Sequence, residues 1–241
     1  MYKGEYKMAI DMDSWNNGAA SGDVKTVVVD NSSQPLNLNL HKTSEKPLIL
    51  SFEKKSNIDE IVTGMSWDPN TSISNGEADL DIYGLALSPS NNGTKTVYNI
   101  KALDDVVYWD ELRGGNTKGY GFTKSADNQT GEGDGDDEWL KVKLSGLKNT
   151  VERFVVIISI YEASKKMQTF GSIKNAKFYL KDVNTGNILA TFDLTNDYST
   201  YTTLLAGEFV RTNDGWVFNF IGQGTHEEWA EFGNKYQLGV E

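Results

Sequence analysis

Phe154-Val155-Val156-Ile157-Ile158-Ser159-Ile160-Tyr161 is the stretch that decides the fold class of this chain. Apolar side chains occupy both odd and even positions, so a strand formed here carries them on both faces. Such a strand is typical of the middle of a sheet that is covered on both sides. We therefore expect a layered β structure with this strand near its centre.

The flanking sequence repeats a strand–turn–strand pattern. Asn184-Thr185-Gly186 and Asn213-Asp214-Gly215 each separate two β-prone runs, as hairpin turns do. Ala78–Leu87 and Trp139–Leu144 alternate apolar with polar residues, which indicates strands with one buried face. Strands at this spacing predict an all-β protein, specifically a two-sheet β-sandwich.

The two ends of the chain differ from its middle. Residues 1–45 are polar, with one short apolar run at Val27-Val28-Val29, and we interpret them as an N-terminal extension that adds one strand. Residues 46–241 are then the β-sandwich domain. Thr225-His226-Glu227-Glu228 has the form of a helix capping box and aromatic residues follow at helical spacing, which predicts a short C-terminal helix.

Composition excludes several classes of function. The chain has 241 residues, 38% of them hydrophobic, which is enough for a substantial core. It contains no Cys and two His, so a disulfide framework and thiolate zinc ligands are excluded. A net charge of −11 argues against nucleic acid as a partner. Neither a signal peptide nor a membrane-spanning apolar run is apparent, so we expect a soluble, cytoplasmic protein.

Asp127–Glu138 is the most acidic segment. Its twelve residues hold six carboxylates, three glycines and no basic residue, so −6 of the net charge of −11 lies here. Crowded carboxylates repel one another, and a hard divalent cation with oxygen ligands, above all Ca²⁺, is the natural counter-charge. The competing interpretation is a solvated acidic loop, as charge runs usually are.

The acidic segment is not an EF-hand loop, although it begins with Asp and ends with Glu. Gln129, Gly131 and Glu132 stand at positions where an EF-hand needs oxygen ligands and an invariant Gly. Asp79-Leu80-Asp81 offers a second acidic group, because two Asp on one strand share a face roughly 6.5–7 Å apart. Buried Asp needs a partner, so either a cation or a solvated strand edge accounts for this pair.

The number of carboxylates bears on how many ions are bound. Asp79, Asp81 and the six acidic residues of the segment give eight carboxylates, and Asp68 adds a ninth. One Ca²⁺ takes about 6–8 oxygens in all, including carbonyls and water. If these groups converge, we expect two or more Ca²⁺ ions.

Three motifs in one order carry a resemblance to a known family. Gly64-Met65-Ser66-Trp67-Asp68, Asp79-Leu80-Asp81 and Asp127–Glu138 resemble the Gly-Leu-Gly-Trp-Asp, Asp-Leu-Asp and acidic motifs of the TerD family of tellurite-resistance and stress-response proteins. The resemblance continues at residues 160–163, 170–176, 192–194, 207–211 and 216–218. It covers the chain from about residue 46 to the C-terminus.

The resemblance implies a calcium-binding β-sandwich without catalytic activity. As partners it implies other Ter-type proteins or a membrane-associated complex, with the chain peripheral to the inner membrane through those partners and not inserted in it. The positions that match the family's metal-binding positions are Asp68, Asp79, Asp81, Asp127, Asn128, Asp134, Asp136, Asp137 and Glu138, with Thr130, Gly131 and Gly133 as further oxygen donors.

Three functions are compatible with these observations. The first, which we expect, is a non-enzymatic Ca²⁺-binding stress-response protein that presents a calcium-ordered surface to protein partners. The alternative is a calcium-dependent carbohydrate-binding β-sandwich module, with Trp67, Trp109 and Trp139 stacking on sugars; packing in the core or at its rim explains these residues more simply. The third is a hydrolase that uses two carboxylates as acid and base, which the mere abundance of Asp and Glu supports weakly.

Overall fold

The computed structural model describes residues 25–29, 38–40, 48–53, 58–69, 76–91, 96–110, 115–116, 120–229 and 231. In this part of the chain, most residues belong to strands that form two large sheets and one two-stranded ribbon. The ribbon consists of β8 (Trp109–Asp110) and β9 (Gly115–Asn116).

The larger sheet has, in spatial order, β1 (Lys25–Val28), β3 (Leu48–Glu53), β16 (Gly215–Thr225), β15 (Thr203–Thr212), β12 (Arg153–Ile160), β5 (Leu80–Asn91) and β6 (Thr96–Asn99), with β7 (Val106–Val107) also paired to β5. The smaller sheet has, in spatial order, β10 (Phe122–Lys124), β11 (Glu138–Lys143), β4 (Glu60–Asp68), β13 (Lys174–Asp182), β14 (Ile188–Asp193) and β2 (Leu38–Leu40). The described helices are short: α1 (Ala163–Lys166), α2 (Leu194–Asp197) and 3-10 turns at Leu103–Asp105, Leu144–Gly146 and Phe170–Ser172. None of the helices in the described ranges is long and apolar enough to cross a membrane.

Strand β12 lies inside the larger sheet, between β15 and β5, and is apolar on both faces. Phe154 and Ile158 point into the main core between the sheets, whereas Val155 and Ile157 belong to a second apolar cluster on the outer face. The prediction of a central strand covered on both sides, and with it the β-sandwich, is confirmed.

The outer apolar cluster is covered in part by the end of the described chain. The ring of Trp229 stacks on that of Tyr83, with ring centroids 3.9 Å apart and planes 10° apart. Tyr83 and Trp229 therefore tie the segment after β16 to the outer face of β5.

Both predicted hairpins are present. β13 pairs with β14 across the turn that contains Asn184-Thr185-Gly186, and Gly186 adopts a φ of +73° there. β15 pairs with β16 around Asn213-Asp214, where Thr212 faces Gly215. Glycine is favoured at position 186 because L-residues rarely adopt a positive φ.

The N-terminal 45 residues contribute to both sheets. β1 overlaps the predicted strand at Val27-Val28-Val29 and pairs in parallel with β3, and β2 pairs in parallel with β14. The structure thus shows two short strands where the sequence suggested one. The division of the chain at residue 46 stays a prediction.

Only the start of the predicted C-terminal helix falls within the described residues. Thr225 Oγ1 accepts a hydrogen bond from Glu227 N at 3.2 Å, and Glu231 Oε2 accepts one from Glu228 N at 3.0 Å. The capping box predicted at Thr225–Glu228 is therefore not formed, because Thr225 still belongs to β16 and Glu228 Oε1 accepts a hydrogen bond from Ser164 N at 2.6 Å. Phe232 and Tyr236, which the prediction included, lie outside the described residues.

One edge of the sandwich brings the acidic motifs together. Strand β5 of the larger sheet passes close to β11 of the smaller sheet, where Ile82 N donates a hydrogen bond to Glu138 Oε2 at 3.1 Å. The acidic segment connects β10 to β11 at the same edge, in antiparallel register with Lys124 facing Leu140. The segment is therefore held next to the start of β5.

Candidate metal centre

Four acidic residues from separate motifs converge at this edge, and we call them the inner cluster: Asp79, Asp81, Asp127 and Glu138. Carboxylate oxygens of Asp81, Asp127 and Glu138 all lie within 4.8 Å of one another. Asp79 precedes Asp81 by two residues, and the negative charges of Asp81 and Asp127 raise its pKa. Carboxylates at this spacing can ligate a single cation.

Three members of the inner cluster, Asp79, Asp81 and Glu138, are positioned by backbone structure. Asp79 immediately precedes β5, and its carbonyl accepts a hydrogen bond from Tyr161 N at 2.8 Å. Asp81 lies in β5 opposite Ser159 of β12, and Glu138 begins β11. Asp79 and Asp81 are 8% and 6% exposed and Glu138 is 0% exposed, so this part of the cluster is removed from water.

Burial makes the charged forms of these carboxyls costly. Burial, together with the negative charges of the neighbouring Asp81 and Asp127, raises the pKa of Asp79 to about 7. Burial raises the pKa of Glu138 to about 8, although the ammonium of Lys124 opposes the shift. Burial likewise raises the pKa of Asp81, again against the influence of Lys124. The positive charge near the inner cluster is therefore too small to offset the effect of burial on these pKa values.

Two buried carboxylate oxygens of the inner cluster have no hydrogen-bond donor among the described residues. These are Asp79 Oδ1 and Asp81 Oδ1. The other oxygen of Asp81, Oδ2, accepts a hydrogen bond from the Tyr83 hydroxyl at 3.0 Å. A buried carboxylate oxygen without a donor is costly, and a bound cation removes that cost.

Lys124 is a buried cation within reach of the inner cluster. Its ammonium lies 2.6 Å from Glu138 Oε1 and 3.7 Å from Asp81 Oδ1, and its side chain is 0% exposed. Four ionised carboxylates beside this one ammonium leave a local net charge of −3. Lys124 therefore offsets only part of the negative charge.

Residues 128–137 form a second feature, which we call the outer loop, and Asn128 organises it. Asn128 Oδ1 accepts hydrogen bonds from Thr130 N at 3.1 Å and Gly131 N at 3.0 Å. Asn128 Nδ2 donates to Asp137 Oδ1 at 3.0 Å and to Glu132 O at 3.3 Å. One side chain thus ties the two ends of the loop together.

Asp137 anchors the outer loop to β4. Its Oδ2 accepts a hydrogen bond from Trp67 N at 2.8 Å, and its own N–H donates to Met65 O at 3.0 Å. Burial raises the pKa of the Asp137 carboxyl, and the nearby charges of Asp136 and Asp68 raise it further. Asp137 is therefore exposed to the negative charges of both Asp68 and Asp136.

Asp68 and Asp136 each contact a partner on β13. Asp68 Oδ2 accepts a hydrogen bond from Asn175 Nδ2 at 2.7 Å, and Asp136 Oδ2 pairs with Lys181 Nζ at 2.7 Å. The Lys181–Asp136 pair is partly exposed, which limits its contribution to stability.

Gly131 and Gly135 provide a matched test of outer-loop packing. Both have positive φ, +70° and +103°, but a Cβ at Gly131 would lie 2.4 Å from Trp67 Nε1, whereas one at Gly135 would meet nothing within 4 Å. Gly131→Ala is expected to reduce the free energy of unfolding by about 2 kcal/mol, because backbone strain and a clash combine. Gly135→Ala adds strain alone and is expected to cost about 1 kcal/mol or less. Urea unfolding at constant Ca²⁺ measures both, and equal losses would contradict the packing of Gly131 on Trp67.

The residues predicted from sequence thus divide into two groups. The inner cluster brings together Asp79, Asp81, Asp127 and Glu138, and the outer loop and its contacts contain Asn128, Thr130, Gly131, Asp136, Asp137 and Asp68. Gly133 and Asp134 are exposed in the outer loop. Which of these residues bind a metal stays a prediction.

Sequence reasoning missed Lys124 and Tyr83. Phe122-Thr123-Lys124 alternates, with Phe122 and Lys124 buried and Thr123 exposed. That period-two pattern was the available signal that Lys124 faces the interior. Tyr83 carried a similar signal, because it shares a strand face with Asp79 and Asp81.

Of the tryptophans considered as sugar platforms, Trp67 lies in the core. Trp67 is 2% exposed, and its Nε1 donates to Ala78 O at 3.1 Å. Trp139 is half-buried, and the side chain of Trp109 lies outside the described residues. The interpretation of Trp67 as a packing residue is confirmed, and its ring is not accessible to a sugar.

Comparison with known proteins relates both the fold and the sequence of this chain to one protein family. The family model described as the TerD domain matches residues 36–236. General stress protein 16U of Bacillus subtilis (strain 168) is 31% identical over 183 residues, covering 76% of this chain and 90% of that protein. Tellurium resistance protein TerD of Serratia marcescens is 32% identical over 164 residues, covering 68% of this chain and 80% of that protein.

A solved structure supports the fold independently. The crystal structure of a homologue of the telluride resistance protein TerD from Streptomyces coelicolor A3(2) superposes with a TM-score of 0.55 at 19% identity. The match covers 73% of this chain and 95% of that one. At this identity the likeness concerns the β-sandwich alone.

Proposed function

The chain belongs to the TerD domain family, and on that premise we propose that it is a non-enzymatic, Ca²⁺-binding stress-response protein of the TerD type. It binds more than one Ca²⁺ ion at the edge of the sandwich and presents a calcium-ordered surface to protein partners. The names of the two relatives above refer to a general stress response and to tellurium resistance.

The inner cluster is the observation that carries the proposal. Its carboxylates are held close together and largely away from water, and two buried oxygens, Asp79 Oδ1 and Asp81 Oδ1, accept no hydrogen bond from the described residues. Burial raises the pKa of Asp79, Asp81 and Glu138, so the ionised cluster needs positive charge beyond that of Lys124. A cation with a preference for oxygen ligands meets each of these needs.

Calcium suits this donor set better than magnesium. The donors are hard carboxylate oxygens, and the outer loop is glycine-rich, with Gly131, Gly133 and Gly135 all at positive φ. Ca²⁺ accepts 6–8 oxygens in flexible geometry, whereas Mg²⁺ demands a near-ideal octahedron and keeps several of its waters. We expect tighter binding of Ca²⁺ than of Mg²⁺.

The inner cluster and the outer loop supply two groups of donors. Asp79, Asp81, Asp127 and Glu138 would hold an ion at the inner cluster. Asp136 and Asp137, together with Asp68, would contribute to a further ion at the outer loop. Bound Ca²⁺ supplies positive charge and oxygen coordination that hold the outer loop in one conformation, and it takes part in no covalent chemistry.

Replacing Asp81 by Asn is expected to weaken Ca²⁺ binding at least about tenfold, because the change removes a charge from the inner cluster with almost no change in shape. Isothermal titration of chelator-treated protein with Ca²⁺ measures the affinity and the number of ions. Asp214→Asn is the matched control, because it removes the same charge from the exposed β15–β16 turn. Wild-type affinity in Asp81→Asn would remove Asp81 from the site, and absence of both heat and thermal stabilisation in the wild type would contradict Ca²⁺ binding itself.

The partners belong to the same proposal. Other Ter-type proteins, or a membrane-associated complex that contains them, are the partners we infer from family membership. A pull-down with the full chain, in Ca²⁺ and in chelator, tests this role. Calcium-dependent capture of a Ter-type protein is expected, and an identical set of bound proteins in both conditions would contradict a calcium-ordered binding surface.

A further inference from the structure

Lys124 lies against the carboxylates that the proposed function assigns to the inner metal ion. Its Nζ is 2.6 Å from Glu138 Oε1 and 3.7 Å from Asp81 Oδ1. Both residues belong to the group of three whose oxygens lie within 4.8 Å of one another. An ammonium at this place offers positive charge to the oxygens that a divalent ion would use.

We propose that Lys124 is a built-in competitor of Ca²⁺ at the inner cluster and sets the calcium affinity of this site. The inference rests on the proposed function, because it concerns the regulation of the same site. It assigns to Lys124 a role opposite to that of a ligand-positioning residue. The two roles predict changes of opposite sign when the charge of Lys124 is removed.

The first argument is the sharing of Glu138. Glu138 Oε1 is already engaged by the ammonium, and Glu138 Oε2 accepts the N–H of Ile82 at 3.1 Å. A cation that coordinates Oε1 therefore shares this oxygen with the Lys124 ammonium, because a carboxylate oxygen has two lone pairs. The electron density that the charge-assisted hydrogen bond draws from Oε1 weakens this oxygen as a metal ligand and opposes metal binding.

The second argument is that Lys124 is not placed to withdraw into solvent. Its side chain is 0% exposed, and it shares the inward face of β10 with Phe122, which packs on Phe154 in the core at a ring distance of 5.1 Å. The register of β10 with β11 holds Lys124 opposite Leu140. The ammonium therefore stays close to any ion bound by Asp81 and Glu138, and the two cations repel each other strongly where water is excluded.

Lys124→Met tests the proposal, because Met keeps most of the length and the apolar stem of Lys without its charge. The full chain is freed of metal with chelator and titrated with Ca²⁺ by calorimetry. Lys124→Met is expected to bind the inner Ca²⁺ about tenfold more tightly than wild type, because one repelling charge is gone. Its melting temperature is expected to be lower than that of wild type in chelator, and to rise more on addition of Ca²⁺.

Lys143→Met is the matched control. Lys143 pairs with Glu60 near the opposite end of β11, and its side chain is 53% exposed. The substitution changes the net charge equally, and wild-type Ca²⁺ affinity is expected. If Lys143→Met tightens binding as much as Lys124→Met does, the effect belongs to overall charge and the proposal is overturned.

Lys124→Gln keeps the proposal testable if Lys124→Met does not fold without metal. The Gln amide can donate a hydrogen bond to Glu138 but carries no charge. Tighter Ca²⁺ binding than wild type is again expected. Equal or weaker binding in the folded Lys124 variants, while wild type binds Ca²⁺, would overturn the competitor role, and weaker binding would show that Lys124 positions Glu138. Absence of Ca²⁺ binding in wild type and variants alike would instead reject the proposed function.

Discussion

Without divalent cations, the folded protein is expected to lose at least about 2 kcal/mol of stability as the pH rises from about 5 to about 8. Burial raises the pKa of Asp79 from 3.8 to about 7 and that of Glu138 from 4.5 to about 8. Between the unfolded and folded pKa values, the folded state holds more protons than the unfolded state. The stability that the Asp79 and Glu138 carboxyls contribute is therefore fully present below about pH 4. It is lost as the pH rises through about 7 for Asp79 and about 8 for Glu138.

Calcium is expected to reverse this loss, because it binds the ionised carboxylates of the folded state. At a free concentration one thousand times the Kd, binding to the native state alone adds about 4 kcal/mol. Urea unfolding in chelator and in Ca²⁺, across this pH range, measures both effects. Stability in chelator should fall with pH, and the stabilisation by Ca²⁺ should grow with pH.

Two variants test whether the pH dependence of stability comes from the inner cluster or from other titrating groups. Glu138→Gln cannot ionise at this position, so its stability in chelator should depend less on pH than that of wild type. Asp214→Asn changes an exposed turn residue and should keep the wild-type pH dependence. A metal-free stability that is constant or rises between pH 5 and 8 in wild type would contradict the electrostatic description of the inner cluster.

Phe154→Ala is expected to destabilise the protein by about 3–5 kcal/mol, the loss typical of truncating a buried Phe. Phe154 is 0% exposed near the start of β12, and its ring centroid lies 5.1 Å from that of Phe122 and 6.4 Å from that of Phe209. Gly84 packs against the same ring, because a Cβ there would lie 2.6 Å from Phe154 Cζ. A site packed this tightly leaves a cavity when the ring is removed.

Urea unfolding at constant saturating Ca²⁺ measures the loss in Phe154→Ala. Tyr120→Ala is the control, because Tyr120 is 57% exposed and its ring contacts Lys148 Nζ at 4.7 Å from the centroid. That change is expected to cost about 1 kcal/mol or less. Similar losses in the two variants would mean that Phe154 does not lie in the principal core.

Local sequence patterns predicted much of the fold. The alternation in β11 placed Leu140 and Val142 on the buried face, and the Gly-containing turns at residues 184–186 and 213–215 marked two hairpins that the structure contains. These features depend on the period of the pleat and on turn residues, which neighbouring residues alone specify. The N-terminal residues carried weaker signals, and β2 (Leu38–Leu40) was not predicted, because a three-residue edge strand has almost no periodicity to detect.

The candidate site was predictable in its donors but not in its arrangement. Length and end residues made Asp127–Glu138 look like an EF-hand, and Gln129, Gly131 and Glu132 excluded that interpretation from sequence alone. The structure separates the donors into the inner cluster and the outer loop. It also shows Asn128 organising the loop through hydrogen bonds that its position in the sequence did not reveal.

The sequence by itself determined that this chain builds a β-sandwich and concentrates negative charge in one loop, because apolar periodicity and charge are local properties. Only the tertiary structure decided that Asp81 meets Asp127 and Glu138, since this contact joins strands of opposite sheets that are far apart in the chain. The same packing buries Lys124 beside them. The strength and selectivity of cation binding depend on that packing, because the distances and the solvent exclusion that govern electrostatic energy are set between sheets and not along the chain.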